Sequence, residues 1–88
     1  REIDEVLLTH PAVAEAVAFG LPDEKYGEEV AAAVVLRHAA TPEEIMAHCR
    51  ERVAAYKTPK TIFITTQIPR TATGKIQRRL VAAAIAGQ

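Results

Sequence analysis

A glycine–lysine pair, Gly74-Lys75, lies within the segment IPRTATGKIQRR, residues 68–79. The same pair ends a phosphate-binding P-loop, which needs Gly, four residues and then Gly-Lys-Ser/Thr. Here Pro69 stands where the first glycine would be, and it has no N–H to offer a phosphate. Ile76 follows the lysine and has no side-chain oxygen to bind Mg²⁺. The spacing therefore argues against a P-loop.

The residues around Lys75 indicate a different use for its charge. Thr71, Thr73 and Gly74 predict a flexible, polar loop from which the ammonium can reach the cleft of another domain. A cationic donor aimed at a developing oxyanion or phosphate lowers a transition-state barrier. The alternative is a solvated lysine beside the start of a helix, where the helix dipole mildly disfavours a cation. The residue types alone leave both interpretations open.

Charge is distributed unevenly along a chain whose net charge is zero. Residues 1–56 carry all eleven acidic side chains and five basic ones, whereas residues 57–88 carry six basic side chains and no acidic one. This asymmetry indicates either an anionic partner for the C-terminal third or pairing between the two halves. A nucleic acid is one such anionic partner, and the domain would then be a nucleic-acid-binding module. However, the C-terminal third interleaves only Phe63 among its bases, which is a poor stacking platform, so we expect no nucleic-acid partner.

Length and composition predict one small domain. The 88 residues are 49% hydrophobic and 25% charged, which is typical of a globular fold. No apolar run approaches the roughly 18 residues of a membrane span, and no signal peptide is visible. Because Arg1 is not a methionine, we expect the chain to begin inside a longer protein.

None of the cysteine and histidine residues predicts a catalytic or metal site. The single cysteine, Cys49, fits a reducing compartment and lies on the apolar face of a predicted helix, so we expect a buried structural residue. His38 and His48 have no Cys or acid partner at metal-ligand spacing. His10 lies at a predicted helix end and is interpreted as a turn residue.

Hydrophobic periodicity and turn residues predict three helices and three strands. The first half is expected to have a helix that ends near His10-Pro11, a strand at 14–20 stopped by Gly20 and Pro22, and a strand at 29–37. The second half is expected to have a helix that begins at Thr41-Pro42, a strand at 61–66, a loop at 67–75 and a helix from about Gln77. The valine-rich run at 29–37 suits a central strand covered on both faces. The last helix is expected to bury Ile76, Leu80, Val81, Ala84 and Ile85. The predicted fold class is α+β, with a small three-stranded sheet packed by helices.

Three segments of the chain resemble one enzyme family. They are EIDEVLLTHPAVAEAVAFGLPDEKYGEEVAAAVV, AYKTPKTIFITTQIPRTATGK and, overlapping the second, PRTATGKIQRR. The first is similar to a Glu-Ile/Val-Glu helix followed by His-Pro-x-Val, Gly-x-Pro-Asp and Gly-Glu. The others look like a Tyr/Phe-Lys-x-Pro-Lys segment and the lysine loop after it. The family is that of the adenylate-forming enzymes, which includes acyl-CoA synthetases, nonribosomal peptide synthetase adenylation domains and luciferases.

The resemblance implies that residues 1–88 are the small, mobile C-terminal domain of an acyl-CoA synthetase, beginning just after the hinge. Such enzymes use ATP and Mg²⁺ to activate a carboxylic acid, for example in fatty acid metabolism, as an acyl-AMP. They then transfer the acyl group to a thiol, often that of coenzyme A. The implied partner is a large N-terminal adenylation domain, against which the small domain swings between two orientations. We expect the fragment alone to bind no cofactor tightly and to be inactive, and cytoplasm is the default location.

The family's site residues match three positions in the loop and two in AYKTPK. The resemblance implies that Lys75 contacts carboxylate and phosphate oxygens during adenylation and is withdrawn for thioester formation, with Thr73 and Gly74 beside it at the nucleotide. It also implies that Tyr56 stacks on the adenine of coenzyme A and that Lys60 meets a phosphate. A core tyrosine and a surface lysine are the alternative for the last two residues.

Two further interpretations follow from the resemblance. Pro69 to Lys75 reads Pro-x-x-x-x-Gly-Lys, a pattern that accompanies lysine acetylation in related synthetases. A lysine acetyltransferase acting on Lys75 would remove its charge and switch adenylation off. The alternative assignments are the corresponding part of a peptide synthetase adenylation domain, and a structural interaction module in which Lys75 has no catalytic role.

Overall fold

The valine-rich run forms the central strand of a three-stranded sheet. The computed structural model describes residues 2–25 and 27–86. Strand β2, Gly27–Leu36, pairs antiparallel with β1, Val13–Asp23, and parallel with β3, Thr61–Thr65. The strand order is therefore β1-β2-β3, and the sheet is mixed. The predicted α+β class and the three strands are confirmed.

Helices cover both faces of this sheet and create two separate cores. On one face lie α1, Glu2–Leu8, and α2, Pro42–Arg50, and their buried side chains include Leu7, Ile45 and Cys49. On the other face Phe19, Phe63 and Val81 belong to a second cluster. The two phenylalanine rings stack there, with their centroids 6.2 Å apart. Successive residues of β2 alternate between the two cores, because strand side chains point to opposite faces. Burial on both faces of β2 is confirmed.

Strand β1 is longer than its sequence predicts. It continues through Gly20 and Pro22 to Asp23, with Pro22 opposite Glu28, so the expectation that these two residues end the strand is wrong. A proline is tolerated there because β1 lies at the edge of the sheet, where one side of the backbone needs no ladder hydrogen bond. A register shift between Val13 and Glu15 marks a bulge at the other end of the strand.

The last helix begins as predicted but packs differently. Helix α3, Arg78–Val81, has Gln77 at its N-cap position and widens into a π-helical turn at Ala82–Ala86. Val81 is buried as expected, whereas Leu80 is 46% exposed and Ala84 is also exposed, so these two predicted core positions are wrong. A π-helical turn has more residues per turn than an α-helix, which moves Ala84 away from the α-helical spacing of the apolar stripe. Leu80 lies before this turn, and nothing in the structure explains its exposure.

Local signals at α2 act as the sequence indicates. The Thr41 hydroxyl accepts a hydrogen bond from the Glu44 backbone N–H at 3.1 Å, and Pro42 occupies the first helical position. Cys49 is fully buried, and burial raises the pKa of its thiol. The interpretation of Cys49 as a structural residue is therefore confirmed.

Candidate functional site

Lys75 follows a closed turn rather than an open loop. Gly74 has a φ of +83° and donates its backbone N–H to the Thr71 carbonyl at 2.9 Å. The Thr71 N–H donates in turn to the Lys75 carbonyl at 2.8 Å, and the Thr71 hydroxyl accepts the Lys75 N–H at 3.2 Å. A three-residue turn of this kind needs a residue at positive φ, which glycine adopts without a steric cost. The expectation of a loop is confirmed, with more internal hydrogen bonding than the residue types suggested.

The turn is tied to the sheet at both ends and near its tip. Ile68 is buried in the second core, and Ile76 packs against the same core. Between them the Arg70 guanidinium donates to the Gly74 carbonyl at 3.3 Å and to the Glu15 carboxylate of β1 at 2.8 Å. The backbone around Lys75 is therefore held by contacts that do not involve the lysine side chain.

The Lys75 side chain is exposed at this turn. Its ammonium has no hydrogen-bond or ion-pair partner within residues 2–25 and 27–86. Thr73, whose hydroxyl lies 3.0 Å from that of Thr71, is exposed beside it. The cation is therefore available to a group outside the described chain, as both interpretations of Lys75 require.

Tyr56 and Lys60 line a groove at a different place on the domain. The groove has a volume of about 280 Å³, and its lining residues are Glu28, Glu29, Val30, Tyr56, Thr58 and Lys60. Tyr56, on a 3₁₀ turn at Ala55–Lys57, is 79% exposed, so the alternative of a core tyrosine is wrong. The Lys60 backbone N–H donates to the Val30 carbonyl at 2.9 Å, which fixes this segment beside β2.

Two acidic residues of this groove were missed in the sequence analysis. Glu28 and Glu29 follow Gly27 at the start of β2, far from Tyr56 in the chain. Parallel pairing of β2 with β3 brings them beside the AYKTPK segment. The Glu28 carboxyl group lies over Gly20, where a Cβ would collide with it. The available signal was the pair of acids immediately before an apolar strand.

The two candidate sites lie at opposite ends of the sheet. AYKTPK precedes the first residue of β3, whereas the Lys75 turn follows its last residue, Thr65. Five strand residues separate the two ends by roughly 13 Å. The structure therefore brings Thr73 and Gly74 together with Lys75, and it places Tyr56 and Lys60 elsewhere.

Three basic side chains of the C-terminal third form ion pairs with acids of the first half. Lys57 contacts Glu2 at 2.9 Å, Arg70 contacts Glu15 at 2.8 Å, and Arg78 contacts Asp4 at 2.6 Å. The hydrogen bond that the Lys57 ammonium donates to the Glu2 carboxylate raises the pKa of Lys57. Pairing between the halves therefore accounts for part of the charge asymmetry.

A family model decides the assignment of the chain. The model described as "AMP-binding enzyme C-terminal domain" matches residues 2–75. The chain belongs to this family. The match begins at the first residue of α1 and ends at Lys75, so both candidate sites lie within it.

Curated relatives and solved structures agree with that family. An oxalate–CoA ligase from Arabidopsis thaliana is 58% identical over 83 residues, and an oxalate–CoA ligase from Saccharomyces cerevisiae is 45% identical over 83 residues. Each match covers 92% of this chain, and the chain spans only 16% and 15% of the two relatives. A structure of O-succinylbenzoate coenzyme A synthetase from Bacillus subtilis, in complex with ATP and magnesium ion, has a TM-score of 0.83 and 39% identity. That match covers 91% of this chain and 16% of the other.

Histidines of this AMP-binding C-terminal domain make structural contacts. His10 accepts the Ala12 N–H at its Nδ1 atom at 3.0 Å, which confirms its role in a turn. His48 packs edge-on against His10 and bonds the Thr9 hydroxyl at 2.8 Å. Since the single Thr9 hydroxyl proton goes to the Val6 carbonyl at 2.6 Å, His48 Nε2 is the donor to Thr9.

The described part of the domain offers neither a metal site nor a membrane span. Within residues 2–25 and 27–86, no three His, Cys, Asp or Glu side chains cluster as metal ligands. In those same ranges no helix has the length and apolar character needed to cross a bilayer.

Proposed function

We propose that the chain is the C-terminal domain of an ATP-dependent acid–CoA ligase. The full-length enzyme activates a carboxylic acid as an acyl-AMP and then forms the coenzyme A thioester. The family match supports this proposal, as do two relatives named as CoA ligases and a related synthetase solved with ATP and magnesium ion. The names of these relatives favour a CoA ligase over a peptide synthetase adenylation domain.

The observation that carries the proposal is the geometry at Lys75. A closed turn fixes the backbone, while the ammonium projects without a partner among the described residues. Adenylation joins a carboxylate to the α-phosphate of ATP, so two anions must approach each other and negative charge shifts to the departing pyrophosphate. A lysine cation between them neutralises both reactants and orients the attack. In the proposal Lys75 performs this role, with Thr73 and Gly74 shaping the turn.

The groove at the other end of the sheet suits one end of coenzyme A. Its volume of about 280 Å³ is near the lower limit of ligand pockets, roughly 300 Å³, so it fits part of a large ligand. The exposed Tyr56 ring offers a face for adenine, Lys60 offers a cation for phosphate, and Glu28 or Glu29 can accept from the adenine amino group. The residue types and dimensions of the groove therefore fit the nucleotide end of this substrate.

Other substrates and the metal belong to a second domain in this proposal. The described residues hold no cluster of metal ligands, so the chain's own side chains are not assigned to Mg²⁺. Mg²⁺ would neutralise the phosphates of ATP when bound in the large N-terminal domain. The Lys75 turn and the groove lie at opposite ends of the sheet, so a change of orientation of this domain would present one and then the other to the N-terminal site.

Two finer elements of the proposal concern substrate and regulation. Oxalate is the first acid to test, because the relatives at 58% and 45% identity are named oxalate–CoA ligases.

Acetylation of the exposed Lys75 would remove the cation and stop adenylation. Mass spectrometry of the native protein tests the modification directly.

The experiment that tests the function is acid-dependent ATP–pyrophosphate exchange by the full-length protein, over a panel of acids that starts with oxalate. Lys75→Ala should lower exchange by at least about a hundredfold, the scale of losing one strong electrostatic contact. Thioester formation from supplied acyl-AMP should be largely retained. Equal losses in both half-reactions would contradict a role specific to adenylation. Residues 1–88 alone should catalyse neither step.

A further inference from the structure

The Arg70 side chain joins the Lys75 turn to the edge strand of the sheet. One guanidinium nitrogen donates to the Gly74 carbonyl at 3.3 Å, and another donates to the Glu15 carboxylate at 2.8 Å. Glu15 lies in β1 opposite Val35 of β2, so it belongs to the hydrogen-bonded sheet. The guanidinium thus connects the sheet to the peptide group immediately before Lys75.

We propose that Arg70 is a positioning residue for Lys75, rather than a ligand of the substrate or a stabiliser of the fold. The proposal rests on the proposed adenylation role of Lys75. Gly74 has no side chain with which to anchor the turn, and its positive φ sets the direction in which the chain leaves toward Lys75. Fixing the Gly74 carbonyl orients the peptide plane that leads into Lys75, and the hydrogen bond from the Thr71 N–H to the Lys75 carbonyl restrains the φ of Lys75. Together the two contacts set the Cα–Cβ direction of the lysine.

The contacts argue against a mainly structural role. The Arg70 and Glu15 side chains are 43% and 41% exposed, and an ion pair with this exposure contributes little to stability. Ile68 and Ile76 already anchor the two ends of the segment in the second core. What the guanidinium adds is a hydrogen bond near the tip of the turn, next to the lysine.

An arginine is better suited to this connection than a lysine. Its planar fork presents several N–H donors at once, so it bonds a carboxylate and a carbonyl from separate nitrogens. A lysine at position 70 would keep the charge opposite Glu15 but would present a single ammonium to both acceptors. Arg70→Lys should consequently restore part of the function that Arg70→Gln loses.

The test uses the full-length protein and measures the two half-reactions separately. Arg70→Gln should lower acid-dependent ATP–pyrophosphate exchange roughly tenfold to a hundredfold, the range expected when a catalytic group is misplaced by about 1 Å. Thioester formation from supplied acyl-AMP should stay within about twofold, because Lys75 is not used there. Arg70→Lys and Glu15→Gln should each give smaller losses of exchange. Arg79→Gln, which changes an exposed arginine with no partner among the described residues, is the matched control and should not alter exchange.

A double variant separates positioning from direct contact. In a Lys75→Ala background, Arg70→Gln should change exchange by less than about twofold, since there is no lysine left to position. A full additional loss would show that Arg70 acts on substrate by itself and would overturn the proposal. So would unchanged exchange in Arg70→Gln, or equal losses in both half-reactions accompanied by a lower Tm. If Lys75→Ala itself leaves exchange intact, the proposed function fails, whatever Arg70→Gln does.

Discussion

Asp4 and Arg78 are 74 positions apart in the chain, and their side chains meet at 2.6 Å beside the peptide group of Ala18. Asp4 accepts the Ala18 N–H at 2.6 Å, and Arg78 donates to the Ala18 carbonyl at 3.3 Å. Ala18 lies in the edge strand β1, so its outward N–H and C=O have no strand neighbour on that side. The ion pair therefore occupies the place of a neighbouring strand residue and attaches the first and last helices to the same edge.

Removing Asp4 should destabilise the domain. Asp4→Ala leaves the partly buried Ala18 N–H without its acceptor, which costs about 1–3 kcal/mol of unfolding free energy. Urea unfolding of the 88-residue chain measures this loss. Arg79→Ala is the control and should change the unfolding free energy by no more than about 0.5 kcal/mol. Equal effects of the two substitutions would show that the Ala18 contacts do not contribute.

Two glycines with the same backbone conformation allow the Lys75 turn to be tested against simple strain. Gly74 has a φ of +83° and Gly27 a φ of +82°, and a Cβ at either position would meet nothing within 4 Å. Alanine at either site should therefore cost a similar amount, about 1–2 kcal/mol, from the left-handed backbone alone. Only Gly74→Ala should also reduce ATP–pyrophosphate exchange. If Gly27→Ala reduces exchange equally, the loss comes from stability and not from the turn.

Tyr56 should affect the second half-reaction and leave the first unchanged. Its ring is 79% exposed beside Lys60, so Tyr56→Ala removes a stacking surface without creating a cavity. Loss of base stacking costs about 1–3 kcal/mol, so the KM for coenzyme A should rise on the order of tenfold. Tyr56→Phe keeps the ring and should behave like the wild type. An unchanged KM for coenzyme A in Tyr56→Ala would remove Tyr56 from the binding site.

His48 should make stability depend on pH. Burial lowers its pKa from the ordinary value of 6.5, and the nearby Arg52 and His10 lower it further, whereas the Val6 carbonyl and Glu51 oppose the shift in part. The unfolded chain consequently takes up the proton first as pH falls. The contribution of His48 is complete above about pH 6.5 and is lost as pH falls through the folded-state pKa.

Comparison with a variant isolates that contribution from the titration of the acids. The wild-type chain should lose more unfolding free energy between pH 7.5 and about pH 5 than His48→Gln does. Denaturant unfolding at several pH values in this range gives both curves. Parallel curves would show that His48 titrates alike in the folded and unfolded chains.

Local signals in the sequence were sufficient for the elements and for the Lys75 turn. Thr41 and Pro42 identify the start of α2 because capping depends on residues within one turn of each other. Gly74 before Lys75 indicates a turn because a positive φ is a property of one residue. The order of the elements and the resemblance to the family could be read from the same short-range patterns.

Contacts between distant segments could be decided only by the tertiary structure. No local pattern shows that β3 pairs parallel with β2, yet this pairing places Glu28 and Glu29 beside Tyr56. The extension of β1 through Pro22 depends on its position at the edge of the sheet, since an interior strand would need the missing N–H.

The exposed basic side chains also show what the sequence predicts and what only the tertiary structure decides. Their number and the excess of acids in the first half were evident from the sequence, which left an anionic partner and internal pairing as alternatives. Which bases pair depends on where the chain folds back on itself, and this placed Arg70 on Glu15 and Arg78 on Asp4 while leaving the Lys75 ammonium without a partner among the described residues. Residue types determined the chemistry available to this domain, and the packing of the two terminal helices against the sheet decided which of those groups can act outside it.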